Sequence, residues 1–416
     1  MLVRIRLFGA VLFAALSSVR PAFADSPSMN AFVREVLSRN PSLRAESFRQ
    51  AASRQAATAE GLWPDPQASV MVDRVPQHEG AEMPMIRYQL QQMVPWPGKL
   101  GMMRSAAESQ ADQALASEEV RRLDLVLETK RAWLMLLLNR QQREINRVSF
   151  GLLTSIASTA AARYGSGTGG HHELARAEVE RNAVEVEKVA LEGERVSMVA
   201  MLNAFRDAPA DATIPDPEPF ESPPSNLDTT NLVTVALRDR PEVKRMEAMV
   251  REMGSMADLA RRERYPDFMV GAWFNQMIGE PNSAGAMLGV TIPVAGISRQ
   301  NRRAGAFDLR SKSARFDVDA MRAMIRFEVA DAIRKVQTAT REVEFLRTVA
   351  MPRARESFEV SLAAYATGSA DMTALLEARR ALQTVELASV QAVISREMAI
   401  AELERALGAR GPEVKP

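Results

Sequence analysis

Apolar positions recur every three or four residues in two long segments of the chain, and this spacing predicts two long helices. The segments run from about 99 to 164 and from about 298 to 365, and the second includes Val318, Ile325, Val329 and Val336. About 65 helical residues rise roughly 100 Å at 1.5 Å each. Because such a stripe must be buried along its whole length, we expect lengthwise coiled-coil packing. Pro352 is expected to kink or locally open the second helix.

The period changes to two in residues 67–95 and 267–294, which predicts a β-hairpin in each segment. Near the end of the second segment one face is apolar, and the other is polar or small. The apolar face carries Ala286, Leu288, Val290 and Ile292. Because lipid-facing and lumen-facing residues alternate along membrane strands, these four are the predicted lipid-facing residues of the last strand.

Four landmarks occur twice in the same order, about 200 residues apart, which indicates a tandem repeat. "VLSRNPSLR" at 36–44 is echoed by "ALRDRPEVK" at 236–244, and "GLWPDPQASVMV" at 61–72 by "ERYPDFMVGAWF" at 263–274. "MVPWPGKLGMMR" at 93–104 pairs with "TIPVAGISRQNR" at 291–302. The last pair is Tyr164-x-x-Gly167 and Tyr365-x-x-Gly368, where each glycine supplies the backbone freedom for a helix to end and reverse.

The predicted boundaries follow from these landmarks. The first repeat covers 25–206, with its hairpin at about 67–95 and its helix reversal near 164–172. The second repeat covers 227–410, with its hairpin at about 267–294 and its reversal near 365–372. Between them, residues 207–226 contain six prolines and are predicted to be an extended linker. Residues 411–416 form a C-terminal tail.

The first 24 residues have the pattern of a cleavable secretory signal peptide. Arg4 and Arg6 precede an apolar run at 7–16, and "AFA" at 22–24 is a small-x-small cleavage site. The chain contains no cysteine, which excludes disulfides, thiolate metal sites and acylation of a lipoprotein cysteine. A net charge of +1 argues against a broad nucleic-acid surface. We therefore predict an exported, non-lipidated protein that does not bind nucleic acid.

The sequence contains no catalytic constellation, so we predict no enzyme activity and no cofactor. His171 and His172 are adjacent, so they point about 100° apart on a helix and do not chelate from one face. A solvated helix start suits them better, with Glu173 favoured by the helix dipole. Most of the 23 methionines fall in helical stretches, where packing explains them. Metal contact at the dense cluster in 93–103 stays open.

Four strands are too few to close a membrane barrel, and open sheet edges are not tolerated in hydrocarbon. If these strands lie in a membrane, several chains must pool them. Three chains would give twelve strands, and their helices would close into a matching tube.

Three features of the chain are similar to those of a known family: Asn-Pro or Arg-Pro at the start of a helix in each repeat, Trp-Pro-Asp or Tyr-Pro-Asp at the entry to each hairpin, and "PWPGK" at 95–99. By these features the chain resembles the TolC-like outer-membrane efflux proteins. "MPRARESFEVSLAAYATGSADMTALLEARRAL" at 351–382 adds to the resemblance, which spans essentially the whole mature chain. It implies a mainly α fold: a homotrimeric periplasmic α-helical barrel topped by a twelve-stranded β-barrel in outer-membrane lipid, with four strands per chain. It also implies two partners, a periplasmic adaptor and an inner-membrane transporter of the RND or ABC type. "PWPGK" is most similar to the heavy-metal efflux branch.

The resemblance also implies a gate. The two Tyr-x-x-Gly reversals would form the periplasmic tip of each protomer, and Glu173 and Glu377 fall where relatives carry acidic residues that line the closed constriction. Ala370 and Ala374 depart from some relatives, which have a basic residue and an aspartate there. The alternative interpretation is that both glutamates are ordinary solvated charges without a role in a gate.

The function predicted from the sequence is the passive exit duct of a tripartite efflux or secretion system. The alternative is a periplasmic coiled-coil scaffold or adhesin that uses its long helices only as spacers. The alternating hairpins discriminate between the two, because a soluble scaffold does not need a lipid-facing strand surface. The cargo does not follow from this chain, since the inner-membrane pump largely selects it.

Overall fold

The computed structural model describes residues 27–73, 85–219, 229–277, 281–292 and 296–409. The predicted signal peptide, residues 220–226 of the linker and the tail at 411–416 lie outside these residues. Within them, the same order of two helices, two strands and two long helical segments occurs twice.

The first repeat begins with helices α1 (Pro27–Arg39) and α2 (Pro41–Ala59). Asn40 separates them, and its side-chain oxygen accepts hydrogen bonds from the backbone N–H groups of Ser42 and Leu43, capping α2. Strands β1 (Gln67–Asp73) and β2 (Met85–Val94) follow. Helices α3 (Lys99–Gly165) and α4 (His171–Phe205) complete the repeat.

The second repeat has the corresponding elements α5 (Thr229–Asp239), α6 (Pro241–Arg262), β3 (Asp267–Met277) and β4 (Ser283–Thr291). Its first long helix is interrupted. Helix α7 (Gly296–Phe345) passes through a π-helical turn (Leu346–Ala350) into α8 (Met351–Thr367), and α9 (Met372–Ala406) returns. The π turn ends two residues before Pro352, which has no N–H to donate to the helix. The helical hydrogen-bond ladder therefore opens locally next to this proline, as the sequence predicts.

The four strands form one antiparallel sheet in the order β1-β2-β3-β4. Strands β2 and β3 join the hairpins of the two repeats, since Leu90 pairs with Ala272 across them. The registers are continuous, so every odd-numbered residue of the four strands lies on one face and every even-numbered residue on the other. Strands β1 and β4 are the edges of this sheet.

The helices bury their apolar stripes in separate clusters along the chain. In the first repeat Trp133 and Leu136 of α3 pack with α1, α2 and α4, and in the second Ile325 and Val329 of α7 pack with α5, α6 and α9. A third cluster joins the two repeats where the long helices reverse, with Leu153 and Ile156 beside Leu375 and Leu376. Within the described ranges no helix is long and apolar enough to cross a bilayer.

The first part of the predicted linker is fastened to the helices. Ile214 is buried, and the carboxylate of Asp216 accepts hydrogen bonds from Arg143 at 3.1 Å and Arg195 at 3.2 Å. The side-chain amide of Asn203 donates to the carbonyl oxygens of residues 210 and 212. Residues 207–219 therefore lie against the first repeat, in a path that proline content alone did not predict.

Candidate functional site

The two helix reversals have the same backbone geometry. After α3, Gly167 has φ 75°, its N–H donates to the carbonyl oxygen of Tyr164, and the N–H of Thr168 donates to that of Arg163. After α8, Gly368 has φ 78° and makes the matching bond to Tyr365. Both turns are Schellman motifs, in which a left-handed residue, here glycine, lets the chain satisfy the last carbonyls and turn back. We call this end of the helices the tip.

The two tyrosines, alike in sequence, lie in different environments. The Tyr365 side chain is buried, and its hydroxyl donates to Oε2 of Glu173 at 3.2 Å. Tyr164 is 49% exposed, and its ring contacts the ring of His171 edge to face at a centroid distance of 5.4 Å. The tip is therefore asymmetric, because Glu173 of the first repeat binds Tyr365 of the second repeat.

Arg163 completes the enclosure of Tyr365. Its guanidinium lies 4.9 Å from the centroid of the Tyr365 ring, and Nη1 donates to the Tyr365 carbonyl oxygen at 3.0 Å. Burial first, and then the Glu173 carboxylate, raise the pKa of the Tyr365 phenol. The phenol therefore remains protonated and able to donate at neutral pH.

A second polar contact joins the repeats closer to the middle of the helices. Arg380 of α9 forms a two-pronged hydrogen-bonded ion pair with Glu180 of α4, and Arg379 lies 3.7 Å from the same carboxylate. The hydrogen bonds from Arg380 lower the pKa of Glu180. Nearer the turn, Arg176 donates to the hydroxyl of Thr373. Ion pairs and hydrogen bonds between charged and polar side chains thus join helices α4 and α9.

The predicted gate residues occupy different positions. Glu173 lies in the first turn of α4 and is partly buried because it accepts the Tyr365 hydroxyl. Glu377 is exposed on α9, close enough to Arg380 to raise its pKa after the larger effect of Glu180. The structure therefore brings Glu173 and Tyr365 together and leaves Glu377 on the surface of the single chain.

The contacts of Arg163, Glu180 and Arg380 were missed from the sequence. The only signal available was comparison of the repeats at a shift of 201. That shift aligns the two tyrosines, but it aligns Glu173 with Ala374 and Arg163 with Ala364. Such a comparison shows that the repeats differ around their tyrosines, without showing which tyrosine is buried.

The sheet has one predominantly apolar exposed face. Leu288 is 76% exposed and Ile292 is 68% exposed, and Ala286 and Val290 are exposed beside them. In the sheet register, Leu288 lies next to Val270 of β3, and Phe274 of β3 lies next to Tyr88 of β2. Three of the predicted lipid-facing residues lie in β4, and Ile292 lies one residue beyond its end. Their side chains continue as an apolar surface across the neighbouring strands.

The sheet is anchored to the helices by the "PWPGK" segment. Nζ of Lys99 contacts Oδ1 of Asp267 at 2.7 Å and donates to the carbonyl oxygen of Tyr265 at 3.0 Å. The Trp96 ring stacks on Tyr265 at 5.1 Å and on Phe268 at 5.8 Å. The exit from the first hairpin and the entry to the second are therefore fixed to each other.

His171 and His172 are exposed at the start of α4, as the solvated interpretation predicts. Among the residues that the structure describes, no group of three or more histidine, cysteine, aspartate or glutamate side chains is arranged to hold a metal ion. The chemistry of the tip is therefore that of hydrogen bonds and ion pairs between helices.

Comparison with known proteins gives one consistent result. A family model described as "Outer membrane efflux protein" matches residues 32–205 and 232–409. Outer membrane protein OprJ of Pseudomonas aeruginosa is 25% identical over 334 residues, which cover 74% of this chain and 67% of that protein. A crystal structure of CusC has a TM-score of 0.82 at 14% identity, covering 94% of this chain and 95% of that one. The outer membrane protein VceC of Vibrio cholerae has a TM-score of 0.78 at 17% identity, covering 91% and 96%.

Proposed function

This chain belongs to the outer membrane efflux protein family, and from that membership we propose that it is the exit duct of a tripartite efflux system. It resides in the outer membrane, with its long helices in the periplasm, and it conducts substrates without chemical change. The fold class predicted from the sequence, long helices with a small four-stranded sheet, is confirmed.

One observation carries the proposal that the duct is a homotrimer. The sheet has four strands, an exposed apolar face, and two edges in β1 and β4. In hydrocarbon each unpaired edge group costs several kcal/mol, so β1 of one chain pairs with β4 of the next. Three chains supply the twelve strands of a closed barrel.

The helices supply a second surface that suits a neighbouring copy. On α4, Val179, Val186, Val189 and Val196 recur at spacings of seven and three, and all four are exposed by about two thirds. This is the a/d pattern of a coiled-coil seam that no described part of the same chain covers. A second copy of the chain covers it in the proposed trimer, where the helices close into the periplasmic tube.

The tip forms the closed end of this tube in the proposal. The bond from Tyr365 to Glu173 holds α8 to α4, and the bond from Arg380 to Glu180 holds α9 to α4. Separating these helices would widen the tube. Three-fold symmetry places three copies of Glu377 around one axis, where they favour cations.

The partners follow from the same assignment. An exit duct needs an inner-membrane transporter of the RND or ABC type and a periplasmic adaptor to join the two. The alternative function, a periplasmic scaffold or adhesin, does not explain why the sheet has an exposed apolar face.

The deciding experiment is extraction of the protein from outer-membrane fractions and electrophoresis with and without heating. We expect an SDS-resistant trimer that dissociates on heating, and ion conductance when the trimer is inserted in a planar bilayer. Recovery of a folded, stable monomer that gives no conductance would refute the proposal.

A further inference from the structure

Methionine side chains are concentrated on one face of the sheet. The four strands contain six methionines, and all six are odd-numbered, so the registers place every one on the face opposite Leu288. They are Met71, Met85, Met93, Met269, Met277 and Met287. Most methionines of the chain fall in helical stretches, and the sequence alone does not separate this strand set, because its common face follows only from the strand registers.

Four of the six form pairs directly across the strands. Met85 of β2 lies opposite Met277 of β3, and Met93 lies opposite Met269. Directly opposite residues have their Cβ atoms about 4.5–5.5 Å apart, so two thioether sulfurs can converge on one ion. Met85 is only 5% exposed, so it is held within the protein.

Glycines on the same face leave room for the thioether groups. A Cβ atom added at Gly271 would lie 3.3 Å from Cε of Met287, and one added at Gly289 would lie 3.5 Å from Cβ of Met269. Eight residues along β3 separate the two pairs, roughly 26 Å at 3.3 Å per residue. Met287 and Met71 lie at intermediate levels, so thioethers occur along most of the strand length.

In the proposed duct this face lines the lumen, where polar side chains are usual. Most of its other members are polar, including Gln89, Gln91, Arg87 and Asn275. Six thioethers on a face that lines the passage therefore need a physical explanation. Thioethers are soft ligands that select Cu(I) and Ag(I) and bind hard divalent ions poorly.

We propose that the inner face of the sheet binds soft monovalent cations, Cu(I) or Ag(I), at the Met85–Met277 and Met93–Met269 pairs. Met71 and Met287 offer further thioethers between the pairs. The inference deepens the proposed function, on which it rests for the assignment of this face to the lumen. It names soft monovalent metal ions as a substrate class that the passage accommodates.

Ag(I) is the probe because, unlike Cu(I), it is not oxidised to a divalent ion in aerated solution. The purified full-length trimer is dialysed against Ag(I), and bound silver is counted and its ligands identified by X-ray absorption. Two variants test the pairs, Met85→Leu/Met277→Leu and Met93→Leu/Met269→Leu, in which leucine keeps the volume and removes the sulfur. The matched control is Met135→Leu/Met201→Leu, which removes two partly exposed methionines from α3 and α4.

We expect sulfur in the silver coordination shell of the unmodified protein, loss of about one silver ion per chain in each strand variant, and no loss in the control. Absence of silver–sulfur scattering in the unmodified protein would overturn the inference even if a variant fails to assemble. Equal silver binding by strand and control variants would also overturn it. Conductance is recorded on the same samples. A trimer that conducts ions but does not bind Ag(I) would refute only the metal site. A protein that binds silver through these methionines but gives no conductance would refute the proposed duct function.

Discussion

Removing the Tyr365 hydroxyl should loosen the closed tip. The change Tyr365→Phe deletes the donor to Glu173 and keeps the ring under Arg163. A hydrogen bond to a charged group contributes about 1.5–3 kcal/mol. The 3.2 Å distance and the partial exposure of Glu173 favour the lower value. We therefore expect a loss of about 1.5 kcal/mol per chain.

In the proposed trimer, symmetry would multiply this effect. If the three tips of a trimer open together, the closed state loses about 4.5 kcal/mol, which shifts the ratio of open to closed channels by about two-thousandfold. Single-channel recording in planar bilayers measures this ratio directly. We expect long open periods in Tyr365→Phe where the unmodified trimer is mostly closed.

The duplication provides a matched control. Tyr164→Phe removes the same hydroxyl from the corresponding position of the first repeat, where the side chain is half exposed. We expect nearly unchanged gating in this variant. Equal gating in Tyr365→Phe and the unmodified trimer would refute the assignment of Tyr365 to the closed tip, and an equal effect of both variants would show that the asymmetry has no role.

Four further predictions concern other parts of the molecule. Leu288→Arg places a charge on the apolar face and should make the free energy of trimer assembly less favourable by about 2–4 kcal/mol. Met287→Arg, on the opposite face, should still assemble. Equal yields of heat-dissociable trimer from the two variants would show that the faces are misassigned. Glu377→Gln should lower cation selectivity in reversal-potential measurements, and unchanged selectivity in Glu173→Gln/Glu377→Gln would make both residues ordinary solvated charges. Lys99→Met removes the contacts to Asp267 and Tyr265 and should lower stability to denaturant by about 1–3 kcal/mol; an unchanged midpoint would mean that stacking of Trp96 alone fixes the junction. The pKa of Glu180 in the folded protein is lowered from its ordinary value of 4.5. The ionised carboxylate therefore stabilises the fold above pH 4.5, and this stabilisation is lost as the pH falls through the lowered pKa. Channel opening should rise on acidification in this range, and an identical acid response in Arg380→Gln would exclude the Glu180–Arg380 pair as its cause.

Local chemistry made the elements predictable from the sequence. A period of two places β1–β4 close to their observed positions, and a left-handed glycine ends a helix in each repeat at Gly167 and Gly368. Pro352 marks the interruption of the second long helix because its missing N–H affects only its own turn. Each of these features depends on residues within a few positions of one another.

The contacts between repeats could not be predicted in this way. Tyr164 and Tyr365 begin the same Tyr-x-x-Gly motif, and their burial is decided by partners about 200 residues away. Similarly, the common face of the six strand methionines depends on how β2 pairs with β3, because a slip of one residue would move a whole strand to the other face.

The unequal environments of the two tyrosines reflect a difference in sequence between the two repeats. The first repeat contains both halves of the contact, Tyr164 and Glu173, whereas the second has a tyrosine but an alanine, Ala374, where the carboxylate would be. A ring of six first repeats could close such a contact at every junction, and a ring of six second repeats could close none. The present chain fastens its own two repeats together, and in the proposed trimer the junction with the next chain would lack that bond. In the proposed trimer, a carboxylate that occurs in only one of the two repeats would reduce the six-fold equivalence of the tip to three-fold, and a ligand of the tip would meet two kinds of groove.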